Sequence, residues 1–252
     1  IVCAMGFSAV VGQFWVAPFF MTELFGKTNM FQKIYSLVGS MLAVLILRTF
    51  NMAHLFSGLD ISSQIFEIGF FRKLLFLFLF SLCAGYLMRL YKKVYFILSE
   101  HFKMSALSLK ISLAFVLAFF LYLPEFRKYQ SLGLYQISHL SEFSGTFFDV
   151  ICKLFFTLIS VTLGFLGGEF IPLIYSGVYF GSSFFNYFGY SMILGSMLGS
   201  FLLFAGATRF KWTSYILILN LVGLSWWFWA YFIVVIAIQF SGDKSLYKSN
   251  HQ

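Results

Sequence analysis

Apolar residues in this chain run in continuous blocks rather than alternating with polar ones. The blocks fall at about residues 1–25, 33–50, 72–98, 106–123, 146–166, 170–188, 190–208, 212–223 and 225–240. Barrel strands would alternate with a period of two, so these runs predict helices. Several approach the roughly 20 residues that a membrane-spanning helix needs, and lipid tolerates only helices or closed barrels. Some runs are interrupted. The first carries Gly6, Gly12 and Pro18, and the fifth and sixth are parted only by Gly167-Gly168. The last two form an uncharged stretch from Trp212 to Gly242, broken near Gly223. Short or broken apolar segments mark transport folds, in which half-helices end inside the membrane. The polar connections are 51–70 and 124–145, and the second carries a small amphipathic turn in "YQSLGLYQISHLSEFSG". No internal repeat is visible, which excludes a solenoid.

Composition turns this pattern into a class. Of 252 residues, 60% are hydrophobic and 10% charged, against about 25% charged in soluble domains. A water-soluble fold of this size would lack the polar surface to cover itself, so an all-α, polytopic membrane protein is expected. The net charge of +8 gathers in short clusters: Arg72-Lys73, Arg89 to Lys93, Arg127-Lys128 and Arg209 to Lys211. These read as loop anchors of the positive-inside kind. They are not the dense basic face that nucleic acid requires. Cys3, Cys83 and Cys152 are far apart and read as buried packing thiols. His54, His101, His139 and His251 are equally scattered and offer no metal spacing. The chain begins at Ile1 inside an apolar run without a basic leader, so it reads as the remainder of something longer rather than as a signal peptide.

One residue breaks the apolar pattern. From Leu154 to Thr208, Glu169 is the only charged side chain, and a carboxylate there is costly unless something uses it. Gly164, Gly167 and Gly168 precede it, and glycine lets backbone approach a ligand closely. Pro172 suits a first helical turn, where its missing N–H would be unpaired anyway. "GGEFIP" therefore predicts a helix N-terminus, whose free amides and positive dipole end favour an anion. The plainer alternative is a helix start near the interface with Glu169 as its cap. Gly177 and Gly181, four apart, then permit close helix packing.

Three stretches carry a resemblance. "GGEFIPLIYSGVYFG" is similar to the GxFxP motif of the CLC chloride channel and transporter family. "AMGFSAVVGQFWVAP", with Gly6 and Ala17-Pro18 in register, resembles its Gly-xxx-Gly…Ala-Pro stretch, and the tail "GDKSLYKSNHQ" resembles its last segment, placing a tyrosine at Tyr247. Within the family the likeness is closest to the CLC-F branch of fluoride/proton antiporters. That branch carries Glu after the double glycine, as at Glu169, and a similar Lys153-to-Glu169 run and Tyr129-to-Gly133 loop. The chain departs from the pattern at Ile171, where the branch has Thr, at Val16, where Asn is usual, and at Glu23, which follows Pro18 too soon. The Gly-Ser-Gly-Ile-Pro and Gly-Arg-Glu-Gly segments would lie before Ile1.

The resemblance implies one partial CLC-type transport domain over 1–252, with about 9–12 tilted and broken helical segments and no soluble regulatory domain. It implies a multi-pass location, as in a bacterial plasma membrane, in a homodimer whose interface includes the last helices, about 212–240. No cofactor or metal is implied. The partners would be fluoride or chloride, protons and the bilayer, with no nucleic acid. The anion pathway would include Gly168, Glu169, Phe170, Ile171 and Tyr247, with Gly6, Pro18, Gly167, Pro172, Gly177 and Gly181 as breaks or packing positions. Burial disfavours a carboxyl's charged form. Protonated, Glu169 would donate to an anion, and ionised it would repel one, linking anion to proton movement. The alternatives are a CLC-type chloride channel and a non-transporting, degenerate membrane subunit. For an enzyme the sequence offers no HExxH, no paired carboxylates and no Ser/His/Asp order on plausible loops. Trp226-Trp227-Phe228-Trp229 suits packing or an interfacial belt as well as a partner surface.

Overall fold

In the computed structural model, residues 1–26, 28–50, 69–103, 105–130, 145–165 and 168–247 are described. They form ten α-helices and no strand: α1 Val2–Val11, α2 Ala17–Phe25, α3 Met30–Thr49, α4 Phe70–Lys103, α5 Leu107–Tyr122, α6 Phe147–Thr162, α7 Phe170–Tyr187, α8 Met192–Thr208, α9 Lys211–Val222 and α10 Trp227–Phe240. Each apolar block carries at least one helix, and the breaks at Gly12 and Gly223 separate helices. α3 and α4 are long and apolar enough to cross a membrane, and the other apolar helices are shorter.

α7 and α8 form the centre. Every residue from Leu194 to Thr208 is buried, as is every residue from Leu173 to Phe185. A helix that is buried all round cannot be amphipathic, and both sequences are apolar or small throughout. The two cross where Gly177 and Gly181 meet Gly199 and Gly195. A methyl group on Gly181 would overlap the Gly195 carbonyl oxygen, and one on Gly177 the Gly199 carbonyl oxygen. Serines line these helices without leaving hydroxyls orphaned. Ser176 donates to the Pro172 carbonyl at 2.9 Å, and Ser196 to the Met192 carbonyl at 2.8 Å.

α3 shows the inside-out pattern of a helix in lipid. Its buried positions are Ser36, Ser40 and Val44, while Phe31, Val38, Leu42, Leu45 and Ile46 are exposed. Ser40 donates to the Ala4 carbonyl of α1 at 3.3 Å. α4 buries Phe76, Leu77, Phe80, Ala84, Met88, Tyr91 and Lys92 along one stripe, the three-and-four spacing of a helix face. It packs on α10 at Gly85, where a Cβ would stand 2.6 Å from the Ala237 carbonyl oxygen. α6 is started by a capping box. The Asp149 amide donates to Thr146 Oγ1 at 3.3 Å, and the Thr146 amide to Asp149 Oδ2 at 2.7 Å. Tyr129 Oη donates to Asp149 Oδ1 at 2.6 Å, which ties the 3₁₀ turn Arg127–Tyr129 to this helix.

Several sequence readings need correction. Gly6 lies inside α1 with nothing within 4 Å of a Cβ, so it neither breaks the helix nor packs closely. The break falls at Gly12, in the left-handed conformation at φ 77°. Arg89 to Lys93 is not a loop anchor, because it lies within α4, with Tyr91 and Lys92 buried. Cys3 and Cys83 are exposed and Cys152 is half-buried, so none is a fully buried packing thiol. Gly167 and the amphipathic turn of the 124–145 connection beyond Gln130 lie outside the described residues.

Candidate functional site

The N-terminus of α7 meets α1, α8 and the carboxy-terminal segment. Glu169 is the N-cap residue, yet its side chain makes no capping hydrogen bond. The Leu173 amide bonds to the Glu169 carbonyl at 3.0 Å. Pro172 has no N–H, and the amides of Phe170 and Ile171 precede the first intrahelical bond, so both are free to face a ligand. Glu169 is buried at 7% exposure. Among the described residues its carboxyl has neither a hydrogen bond nor a cationic partner.

Aromatic rings wall this helix end. The Phe170 ring lies 4.6 Å from Phe7 of α1 and 5.1 Å from Phe204 of α8. Phe204 continues to Phe210 at 6.0 Å, and Phe210 to Tyr247 at 5.9 Å. Phe7 stacks on Phe20 of α2 at 4.1 Å, just after Pro18 in the first turn of that helix. The opening, central and final stretches singled out in the sequence thus converge on one place. Gly168 is exposed beside it, and Ile171 and Tyr247 are partly buried. Ile171 presents an apolar side chain and no hydroxyl.

Tyr247 is carried by a non-helical segment, and a single buried lysine holds that segment. Lys92 is 3% exposed. Its ammonium donates to the Gly206 carbonyl at 2.8 Å, the Lys244 carbonyl at 2.8 Å and Ser241 Oγ at 3.2 Å. An ammonium has three protons, and all three are placed. The Leu246 amide bonds to the Ala207 carbonyl at 3.1 Å, and Ser245 Oγ to the Thr208 carbonyl at 2.6 Å. Arg209 donates to the Gly242 carbonyl and pairs with Asp243 at 3.3 Å. Replacing Lys92 with Met keeps the stem and removes the three bonds, leaving carbonyls unsatisfied. Local opening of 241–247 should then become ~3 kcal/mol easier, on the order of 100-fold faster amide exchange at Leu246. Exchange unchanged at Leu246 would show that the segment is held by other contacts.

Sequence reasoning missed three groups around this site. Lys92 was hidden in a basic cluster. Tyr91 and Tyr95 of α4 lie, with Tyr247, within electrostatic reach of the Glu169 carboxyl; the buried stripe at 77, 80, 84 and 88 points on to 91 and 95, and that spacing was the available signal. Glu23 of α2 also gains a structural use. Its carboxylate accepts from the Trp212 and Thr213 amides at 2.7 and 2.9 Å and from Thr213 Oγ1 at 2.6 Å, capping α9. Trp226 packs under the Lys73 ammonium, 4.1 Å from the ring centroid, while Trp227 is exposed.

Three comparisons bear on this geometry. No curated protein matches the chain. Among solved structures it is similar to one described as the crystal structure of a CLC-type fluoride/proton antiporter, with a TM-score of 0.78 at 21% identity, covering 92% of this chain and 59% of that one. At that identity the likeness is one of fold, and the chain spans about three-fifths of that structure's length. The family described as voltage gated chloride channel matches residues 2–242, nearly the whole sequence and every helix of the site. The chain belongs to the voltage gated chloride channel family, and is thus an integral membrane protein with the CLC antiporter fold.

Proposed function

We propose that the protein exports fluoride across the membrane in exchange for protons, with the α7 N-terminus as the anion site. The observation that carries this reading is the buried Glu169 carboxyl, unpaired among the described residues, beside helix amides and the Tyr247 ring segment. A small anion that holds its hydration water strongly needs hydrogen-bond donors to replace it. The amides of Phe170 and Ile171 and the Tyr247 hydroxyl supply donors, and Glu169 adds one when it carries a proton. Proton release from Glu169 turns that donor into a negative charge that opposes the anion, which links the two movements. The likeness to a fluoride/proton antiporter fold supports the same reading. Gly168 leaves room at the entrance, and Phe170 forms part of the ring wall along the path.

The protein works as a homodimer in this reading, with the exposed Trp212, Leu224, Trp227 and Phe228 as surface for a second copy. Ile171 favours a second reading, a chloride pathway, because it offers no hydroxyl to an anion that demands donors. Efflux from liposomes holding the intact protein separates the two, with halide-selective and pH electrodes read together. Fluoride should leave faster than chloride, with protons moving the opposite way. Chloride-preferring flux that carries no protons would overturn the antiporter reading in favour of a channel.

A further inference from the structure

Among the described residues, the Tyr91 hydroxyl is a buried group near this site whose position the fold's own hydrogen bonding does not explain. Tyr91 sits in the middle of α4 at 6% exposure, and its hydroxyl is shut off from solvent without a hydrogen-bond partner. A buried hydroxyl left unpaired costs about 1–3 kcal/mol, so native proteins rarely keep one without a use. Its polar surroundings are Glu169, Tyr95 and Tyr247, all within electrostatic reach. Among the described residues, none of these three tyrosine hydroxyls bonds another group of the protein. The neighbouring residue, Lys92, is fully engaged with Gly206, Ser241 and Lys244, so it contributes no donor to this space. When Glu169 carries its proton, what surrounds the hydroxyl is therefore a set of O–H groups and helix amides without an anionic acceptor.

We infer that Tyr91 is a third side-chain donor to the transported anion, reaching the α7 N-terminus from α4 and setting the preference for fluoride over chloride. This rests on the anion-site reading above and adds a specificity-determining residue to it. A phenol donates one strong, directional hydrogen bond, which rewards a small, strongly accepting anion more than a large, weakly accepting one. Its electrostatic neighbour Glu169 lies two residues before Ile171, whose side chain cannot donate. Tyr91 thus restores a hydroxyl to a site that its own helix leaves short of one.

Tyr91→Phe tests this directly, because it keeps the ring that packs in the core and removes only the hydroxyl. Titration calorimetry of the intact, solubilised protein should give fluoride binding weakened roughly tenfold or more, the size of one hydrogen bond to a charged acceptor. Chloride binding should change by less than about threefold, so the fluoride-to-chloride ratio falls. Without halide the variant should melt at the wild-type temperature or above it, since an unpaired buried hydroxyl has gone, and added fluoride should raise its melting temperature less than that of wild type. A merely structural role predicts the reverse, a lower halide-free melting temperature with unchanged halide binding, and that result overturns the assignment. Unchanged fluoride affinity in a normally folded variant also overturns it, and leaves water as the hydroxyl's partner. If the wild type binds no halide, the assignment falls with the site itself. If it binds fluoride through Tyr91 but moves none across liposomes, the transport reading fails and the assignment of Tyr91 stands.

Discussion

Gly181→Ala should break the α7–α8 pair, while Gly6→Ala should leave the protein as stable as before or slightly more so. The two substitutions add the same methyl group inside a helix. At Gly6 a Cβ meets nothing within 4 Å, so the change gains only the ordinary preference of a helix interior for alanine over glycine, about 1 kcal/mol at most. At Gly181 the methyl overlaps the Gly195 carbonyl oxygen and comes within 3.1 Å of the Ser196 amide nitrogen. These are backbone atoms, so no side chain can rotate away, and relief requires the helices to separate. Separation would open the Gly177–Gly199 contact as well, exposing the most buried surface in the protein. Overpacking that a core cannot absorb costs ~3 kcal/mol or more, which should appear as a melting point lowered by on the order of 10 °C or as loss of the folded species. Thermal unfolding followed by gel filtration in detergent reads both variants. Equal stability of Gly181→Ala and wild type would mean that the helix pair adjusts freely, against the close approach described above.

This contrast also shows what the sequence could reveal. Gly177 and Gly181 announced close packing through their spacing of four. Their partners Gly195 and Gly199 have that same spacing, but nothing in a linear pattern says which helix meets which. Gly6 looked like an equivalent position because it sits in an equally apolar run; only tertiary contacts distinguish a glycine against backbone from one in open space. Helix positions were legible because lipid demands continuous apolar runs, and their ends moved only where polar residues continue a helix. α4 is the main case. Its helix runs on through Arg89, Lys92 and Lys93 to Lys103, because Lys92 turns inward onto three acceptors while Arg89 and Lys93 remain exposed.

The candidate site divides the same way. Glu169, Phe170 and Tyr247 could be singled out because each is chemically conspicuous within its segment or carried by a motif. Lys92 could not, since a lysine among basic residues carries no signal until neighbours are known, and Tyr91, one tyrosine among 14, showed only through the three-and-four spacing of its apolar stripe. Glu23 illustrates the opposite error. Its distance from Pro18 looked like a displaced functional acid, whereas its carboxylate is fully used in capping α9. A carboxylate accepting three hydrogen bonds at a helix N-terminus is a stable structural group. Glu169 occupies a helix N-terminus too, but with none of those bonds, and that difference separates the two acids.

On the proposed exchange of fluoride for protons, Glu169→Gln should uncouple the two movements while leaving the protein folded. Glutamine has nearly the same shape and volume, and its amide can donate to an anion at the α7 N-terminus much as a protonated carboxyl would. It cannot release that proton. Fluoride should still reach the site, and its efflux should persist, but the protons moved per fluoride should fall roughly tenfold or more, because the variant lacks the group that exchanges them. The wild-type dependence of fluoride flux on pH should flatten in the variant over the range in which the carboxyl titrates. Stability should hold or rise, since a buried ionisable group without a described partner is replaced by a neutral one. Glu169→Ala separates donor from charge: it removes the proton carrier and the donor together, so fluoride efflux should drop as well as coupling. Paired fluoride and pH electrodes on liposomes of wild type and both variants give all of these quantities. Proton movement that stays at the wild-type ratio in Glu169→Gln would remove Glu169 from the coupling path and leave it as a helix-end residue whose burial serves packing alone.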